Sequence, residues 1–528
     1  MGGELNSLEY NAVPQDRIEV TMSRFLNRVC MGLLIMAVAL PQYAAAEALP
    51  SLSMLGLIYR MSKARVETDD ALKAQLADVD KQQMAAWRAG RLGEVRRQLA
   101  RGMSLTSGQG WSDAQDFSAS LVVRTDQAFV DPMRPVMLRL EQIYPAKLAR
   151  DGRFTVRVAL HKPGQRTRRG RQPGDKLHDL GEQPDVGLDM IESPIGMQID
   201  LGSIADGDYD VRFELLDDKE SLGAAFTRLY VRANLDERMA RLRQSAKIAP
   251  ESLRADILYP LDYMRKVNLG WVASRGFDVD KELAAAEEVA AAVAKGKDPF
   301  KARSGDFERH YLLADAGEIM PYRIYVPKDY PSGNQYPLVV ALHGLGGNED
   351  SMFSDFYGIP ALAEERGYIV VAPMGFRVDG GYGVNPLRPA SRNGRLSEKD
   401  VLEVLALTRA NYAIDGQRIY LMGHSMGAIG TWRLAARFPD IWAGLGPIAG
   451  MGDPRTAEVI GHIPQIVVHG DADRTVPVTG SQRMVNALRK VGAEVTFIEV
   501  PGGGHSDIAP PNMGPIFDFF DAHKRPDG

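Results

Sequence analysis

Gly423-His424-Ser425-Met426-Gly427 is the stretch whose residue types and spacing speak most directly of chemistry. A serine hydroxyl is a poor nucleophile until a base takes its proton, and that base must be held in one tautomer by a third group. In a G-x-S-x-G pattern the two glycines allow a tight bend from strand to helix, where Cβ atoms would collide. Such a bend lifts the hydroxyl clear of a sheet and sets it at a helix N-terminus, where unpaired N–H groups favour developing negative charge. Three common residues at fixed spacing recur by chance, so the pattern alone is weak. Its flanks give it weight: 418–422 reads as a buried strand, and 428–437 as a helix stopped by Pro439.

A base and an orienting acid are available in the order such a site needs, each after an apolar run. Residues 464–468 lead to His469-Gly470-Asp471-Ala472-Asp473, and 494–500 lead to a glycine loop ending in Gly504-His505. We expect His505 as general base and then acid, with Asp473 accepting its other ring N–H and Asp471 as rival orienter. His424 reads as packing, because neighbouring side chains on the elbow diverge. The oxyanion formed by attack needs donors aimed at it beforehand. The segment Leu342-His343-Gly344-Leu345-Gly346-Gly347 follows a strand-like run, so the N–H groups of Leu345 and Met426 are the expected hole, with His343 bracing the loop. A dinucleotide reading of these glycines fails, since G-x-G-x-x-G would need glycine at Glu349.

These residues need a scaffold, and the grammar of 305–528 supplies one. Apolar, β-branched runs at 337–342, 368–372, 418–422, 444–448, 464–468 and 494–500 alternate with helical patterns at 398–412, 425–437, 481–491 and 516–524. An antiparallel pair at 309–314 and 321–326 opens the segment. Ser397 to Asp400 reads as a capping box for the first helix. Such alternation argues for a doubly wound α/β sheet with its chemistry at the carboxyl ends of the strands. The loop 375–395, with Tyr382, Asn385 and Ser391, is expected to line a pocket, and Trp432, two helical turns past Ser425, to be core.

Ahead of this domain the pattern changes three times. Residues 47–110 read as a helical hairpin, with apolar positions at three- and four-residue intervals. Residues 111–234 show period-two runs with Gly and Asp turns, as in a small β-sandwich of immunoglobulin-like type; its basic run 162–171 reads as an exposed loop. Residues 235–304 read as a helical linker broken at Pro250 and Pro260. Residues 1–46 comprise an upstream extension and, from Met22, a secretory signal: Arg24 and Arg28, an apolar stretch from Cys30 to Leu40, then Ala44-Ala45-Ala46. That stretch is short for a membrane span, and its Cys30 is the sole cysteine.

With 45% apolar and 25% charged residues the chain has ordinary globular composition, and its net charge of −5 offers nucleic acid no electrostatic attraction. Its nine histidines show neither H-E-x-x-H nor a C-x-x-C partner, so neither a metal nor any other cofactor is expected in the chemistry.

Residues from about 305 to 525 resemble the esterase branch of the α/β-hydrolase superfamily, which includes polyhydroxybutyrate-depolymerase-like, feruloyl and acetylxylan esterases, near dienelactone hydrolases. The carrying motifs are His343 to Gly347, Asp415-Gly-Gln-Arg-Ile-Tyr420, Gly423 to Gly427 with Thr431-Trp432, Phe438-Pro439-Asp440, His469-Gly470 through Asp473 to Val476-Pro477, and Gly504-His505. The resemblance implies Ser425, Asp473 and His505 as triad and favours Asp473 over Asp471. With the signal pattern and the net charge, it leads to the expectation of a secreted or periplasmic serine carboxylic-ester hydrolase acting on a small or polymeric ester, without nucleic-acid partner or stable membrane span after signal cleavage. Extracellular depolymerases of this type often carry disulfides, which this chain lacks. A prolyl-oligopeptidase-like peptidase would use the same triad, although no repeat of propeller-blade length is present. A catalytically inactive binding protein is the third reading. Oligomeric state is not legible.

Overall fold

The computed structural model describes residues 49–526, apart from 67–68, 168–169, 173, 275, 332 and 384–390. The upstream extension and signal segment (1–46), Cys30 and the Asn385 part of the 375–395 loop lie outside the described residues.

Helices come first: α1 (Leu52–Arg65), α2 (Asp70–Arg88) and α3 (Leu92–Thr106). Three helices replace the expected hairpin because each junction has its own stop and start. Ser51 and Asp69 cap α1 and α2 by accepting the N–H of Met54 and Leu72, and Gly90, with φ 69°, turns the chain into α3. Tyr59, Val79 and Leu99 lie in their common core.

A short α4 (Asp113–Ser120) leads into β1 (Leu121–Thr125), β2 (Phe129–Val130), β3 (Val136–Gln142), β4 (Phe154–His161), β5 (Gln165–Thr167), β6 (Gly170–Gln172), β7 (Lys176–Val186), β8 (Ile195–Ile199), β9 (Gly207–Asp217) and β10 (Glu220–Val231). They form sheets ordered β1-β3-β8 and β2-β10-β9-β4-β7, with β5 and β6 as a separate small hairpin where an irregular loop was expected. Alternation does the work here. Val156, Val158 and Leu160 of β4 and Val211, Phe213 and Leu215 of β9 enter one core with β1, β3 and β8, while the intervening positions face away.

Helices α5 (Leu235–Ile248), α6 (Glu251–Asn268) and α7 (Val279–Ala294) follow. Pro250 precedes α6 as expected, but Pro260 lies inside it. Its ring is buried, and the helix carries one missing N–H within a segment whose Leu253, Ile257, Tyr259, Met264 and Val267 lie in the core.

The last segment is an eight-stranded sheet: β11 (Gly305–Leu313), β12 (Glu318–Val326), β13 (Tyr336–Leu342), β14 (Ile369–Pro373), β15 (Ile414–His424), β16 (Gly444–Ile448), β17 (Gln465–Gly470) and β18 (Val495–Val500), ordered β11-β12-β14-β13-β15-β16-β17-β18. β12 pairs antiparallel with β11 and β14, and the remaining neighbours are parallel. Helices α8 (Ile359–Arg366), α9 (Arg392–Asn411), α10 (Met426–Arg437), α11 (Ala457–Ile460), α12 (Thr479–Lys490) and α13 (Ala509–Ala522) complete it. Every residue of β13, β14, β16 and β17 is buried, as parallel strands covered on both faces require. This is the α/β-hydrolase fold.

Two helix starts differ from expectation. α9 begins at Arg392, capped by Ser391, whose Oγ accepts the Gly394 N–H at 3.0 Å. Ser397, expected as the cap, is buried and accepts the Tyr382 N–H at 3.0 Å, tying the loop after β14 to α9. α13 begins at Ala509, not 516, since Pro510 and Pro511 occupy first-turn positions where no N–H is needed.

Candidate active site

β15 runs into Ser425 and stops there. The serine has φ 57° and ψ −115°, a strained turn for a residue with a side chain, held by its own N–H on the Ile448 carbonyl at 2.8 Å. The flanking glycines are sterically required. A Cβ on Gly423 would stand 2.4 Å from the Gly427 carbonyl carbon, and one on Gly427 would stand 2.1 Å from the Leu342 oxygen. β13, β15 and α10 therefore meet more closely than any side chain permits.

At the end of β18, His505 points back at this turn. Its Nε2 lies 2.9 Å from Ser425 Oγ, and its Nδ1 lies 2.7 Å from Asp473 Oδ2. The geometry fixes the tautomer: Nδ1–H donates to the carboxylate, leaving Nε2 to accept the serine proton. Asp471 is elsewhere, accepting the Gly502 N–H at 2.7 Å. The loops bearing acid and base are clasped together, since Asp471 N–H donates to Val500 O and Ala472 N–H to Gly503 O. A Cβ on Gly470 would stand 2.2 Å from the Gly503 oxygen, so glycine is what lets the two loops touch.

Asp473 is buried and receives four hydrogen bonds. Oδ1 accepts from the N–H groups of Thr475 and Val476, and Oδ2 from His505 and, at 3.2 Å, from His469. Burial alone would raise its carboxyl pKa, but the bonds from His469, His505 and the Val476 N–H more than offset it and hold the group well below the usual carboxylate range. His469 is fully buried, and its Nε2 faces only acceptors, Asp473 Oδ2 and the Val476 carbonyl, so that nitrogen carries the proton. Sequence reading placed His469 in a motif without giving it a task.

His424, read as packing, is hydrogen-bonded at both ends. Nε2 donates to the His505 carbonyl at 2.8 Å, which leaves Nδ1 to accept the Tyr357 hydroxyl at 2.9 Å. Burial pushes its pKa down to about 4, so it stays neutral beside His505. Tyr357 carried no signal in the sequence.

Met426 opens α10, and the leading N–H groups of a helix have no intrahelical partner. The loop holding Leu345 passes directly alongside: a Cβ on Gly344 would be 3.5 Å from Ser425 Cβ. Gly346 N–H donates to Val378 O at 2.7 Å, anchoring this loop to the one after β14. His343 is buried, with a ring nitrogen 2.8 Å from the Met374 carbonyl. From the far side, α1 brings the Met54 methyl so near that a Cβ on Gly346 would stand 2.7 Å from it. Trp432 lies in the core, donating to Gln465 at 2.9 Å.

Among the described residues, Glu282, Glu308 and His310 could together hold a cation, with ligand atoms within 4.8 Å of one another. Their charges are already answered from within. His310 bridges Glu308 and Asp256, and Lys281 stands 3.4 Å from Glu282.

Residues 314–493 match the Esterase family model, described as "Putative esterase". This segment is similar to that family. Over 135 residues the chain is 28% identical to feruloyl esterase B of Talaromyces stipitatus, covering 26% of this chain and 37% of that one. Over 136 residues it is 32% identical to poly(3-hydroxyalkanoate) depolymerase C of Paucimonas lemoignei, covering 25% and 32%. The chain thus spans less than half the length of these curated relatives. A solved structure titled as a thermostable esterase aligns over 77% of this chain and all of its own, at 20% identity and a TM-score of 0.36. The esterase segment contains Ser425 and Asp473, and His505 follows it on the next strand's loop. Among the described residues no helix is long and apolar enough to cross a membrane.

Proposed function

We propose that this protein is a serine carboxylic-ester hydrolase with Ser425 as nucleophile, His505 as general base and acid, and Asp473 as its orienter. The observation that carries the reading is one continuous chain of hydrogen bonds, Ser425 Oγ to His505 Nε2 at 2.9 Å and His505 Nδ1 to Asp473 Oδ2 at 2.7 Å, within and next to an esterase-family segment. Oγ attacks the ester carbonyl as His505 Nε2 takes its proton. The N–H groups of Leu345 and Met426 receive the oxyanion, and His505 returns the proton to the departing alcohol. Water then repeats the sequence on the acyl-serine. Residues 305–528 are the catalytic domain in this reading, and 111–234 an accessory immunoglobulin-like sandwich. Export follows from the signal pattern at 22–46, and amino-terminal sequencing of the mature protein checks it.

The test is turnover of p-nitrophenyl acetate or butyrate set against a proline p-nitroanilide. Faster ester cleavage is expected; faster amide cleavage would replace this reading by the peptidase one, and a folded protein inert on both would favour the binding-protein reading.

A further inference from the structure

We propose that Met54 is a positioning residue for the oxyanion hole, so that the amino-terminal helix α1 takes part in the ester chemistry; this rests on the reading of Ser425 as nucleophile. α1 carries two apolar faces. Leu55 and Tyr59 lie in the core shared with α2 and α3, whereas Met54, Leu57, Ile58 and Met61, spaced i, i+3, i+4 and i+7, form a second face that is half-buried and outside that core. A helix apolar on two sides calls for cover on both. On its helical side α1 is fixed. A Cβ on Gly102 of α3 would stand 2.4 Å from the Tyr59 ring, the Tyr59 hydroxyl donates to Asp80 at 3.0 Å, and Arg96 donates to the Pro50 carbonyl at 3.0 Å just ahead of the helix. Ser51 Oγ accepts the Met54 N–H at 3.1 Å, so Met54 stands in a capped first turn.

What Met54 meets on the other side is backbone. Gly346 directly follows Leu345 and has φ 86°, and glycine is the residue whose backbone is least confined. Gly346 N–H donates to Val378 O at 2.7 Å and Gly347 N–H to Gly344 O at 3.0 Å, which hold the loop along its own turn. Leu345 N–H, just before them, meets no acceptor among the described residues and stays available to an oxyanion. Where a side chain would stand on Gly346, the cover is Met54 alone. That point lies 2.7 Å from Met54 Cε and 3.5 Å from its Sδ, and apart from the adjoining residues no other described atom comes within 4 Å of it. Gly346 is otherwise exposed.

A hole works because its donors are aimed before the charge develops, and a displacement of about 1 Å in a positioning group can cost about a hundredfold in rate. The long, unbranched thioether of methionine can reach the loop and conform to it. It closes the one face of Gly346 that neither hydrogen bond restrains. Without that cover the glycine regains its freedom, and the Leu345 peptide ahead of it can turn away from Ser425. Met54 touches no reacting atom; it acts through Gly346 on the aim of Leu345 N–H.

Initial rates on p-nitrophenyl butyrate, measured for the full chain and its Met54 variants, test this. Met54→Ala should lower kcat by about five- to twentyfold with KM within about twofold of the parent. Met54→Leu, which restores an apolar side chain of similar volume, should recover most of the loss. Hydrogen exchange over residues 343–350, read by mass spectrometry, should run about threefold faster or more in Met54→Ala. Should Met54→Ala fail to fold, Met54→Val, which keeps an apolar side chain without the reach, should show the same loss of kcat. Parental kcat in a folded Met54→Ala protein, a loss confined to KM, or a Met54→Leu protein no better than Met54→Ala would overturn the proposal. Unchanged exchange over 343–350 would overturn it alone, whereas a folded parent inert on esters would overturn the ester reading on which it rests.

Discussion

Asp473 collects four donors in a buried setting, and that concentration explains how one carboxylate can fix an imidazole that fixes a hydroxyl. Ser425→Ala should therefore reduce kcat for p-nitrophenyl esters by about four to six orders of magnitude while KM changes little, read from initial rates. His424 acts one step removed, as a positioning residue on the His505 backbone. His424→Phe should lower kcat by about five- to thirtyfold, the value of one to two kcal/mol of lost hydrogen bonding, with KM near the parent value. His424→Gln, which can still donate to the His505 carbonyl, should recover part of that loss. A merely structural role would instead lower the melting temperature of both variants and leave the Gln protein no better.

Elements place these residues through contacts too close for side chains. β13, β15 and α10 meet at Gly423 and Gly427, so Gly427→Ala, with its Cβ 2.1 Å from the Leu342 oxygen, should destabilise the protein by several kcal/mol, on the order of 4 or more, measured by denaturant unfolding. The elbow and the two loops bearing Asp473 and His505 were legible because each follows a short run rich in β-branched and apolar residues and carries its glycines close by. The alternation along β4 and β9 was legible for the same reason: period two is local. Contacts across long separations were not. Tyr357 meets His424 from 67 residues away, and Met54 reaches Gly346 from α1. No local pattern encodes either. Ser397 misled because a serine three residues before an acid fits a cap equally well when its hydroxyl is used by a distant loop, here the Tyr382 N–H.

Across the whole molecule two buried histidines pull stability in opposite directions with pH. His424 has a folded pKa near 4 against 6.5, so the unfolded chain binds the extra proton and stability falls as pH drops from about 6.5 towards 4. His310 is the reverse case. Burial alone would lower it, but Asp256 and Glu308 hold it at about 9, so its contribution is complete below about 6.5 and is lost as pH rises through 9. Each shift corresponds to about 3 kcal/mol. Melting curves from pH 4 to 10 should peak near 6.5, and His310→Asn should flatten the alkaline limb while leaving the acid limb. At this scale α5–α7 matter because α6 supplies Asp256 to β11, binding the middle helices to the eight-stranded sheet. The most direct measurement is covalent: incubate the full chain with a fluorophosphonate probe, digest it, and locate the adduct by mass spectrometry. A single adduct on Ser425, absent in Ser425→Ala and formed far more slowly in His505→Ala, is the expected result. A folded chain that hydrolyses esters yet labels elsewhere, or labels Ser425 equally fast without His505, would contradict it.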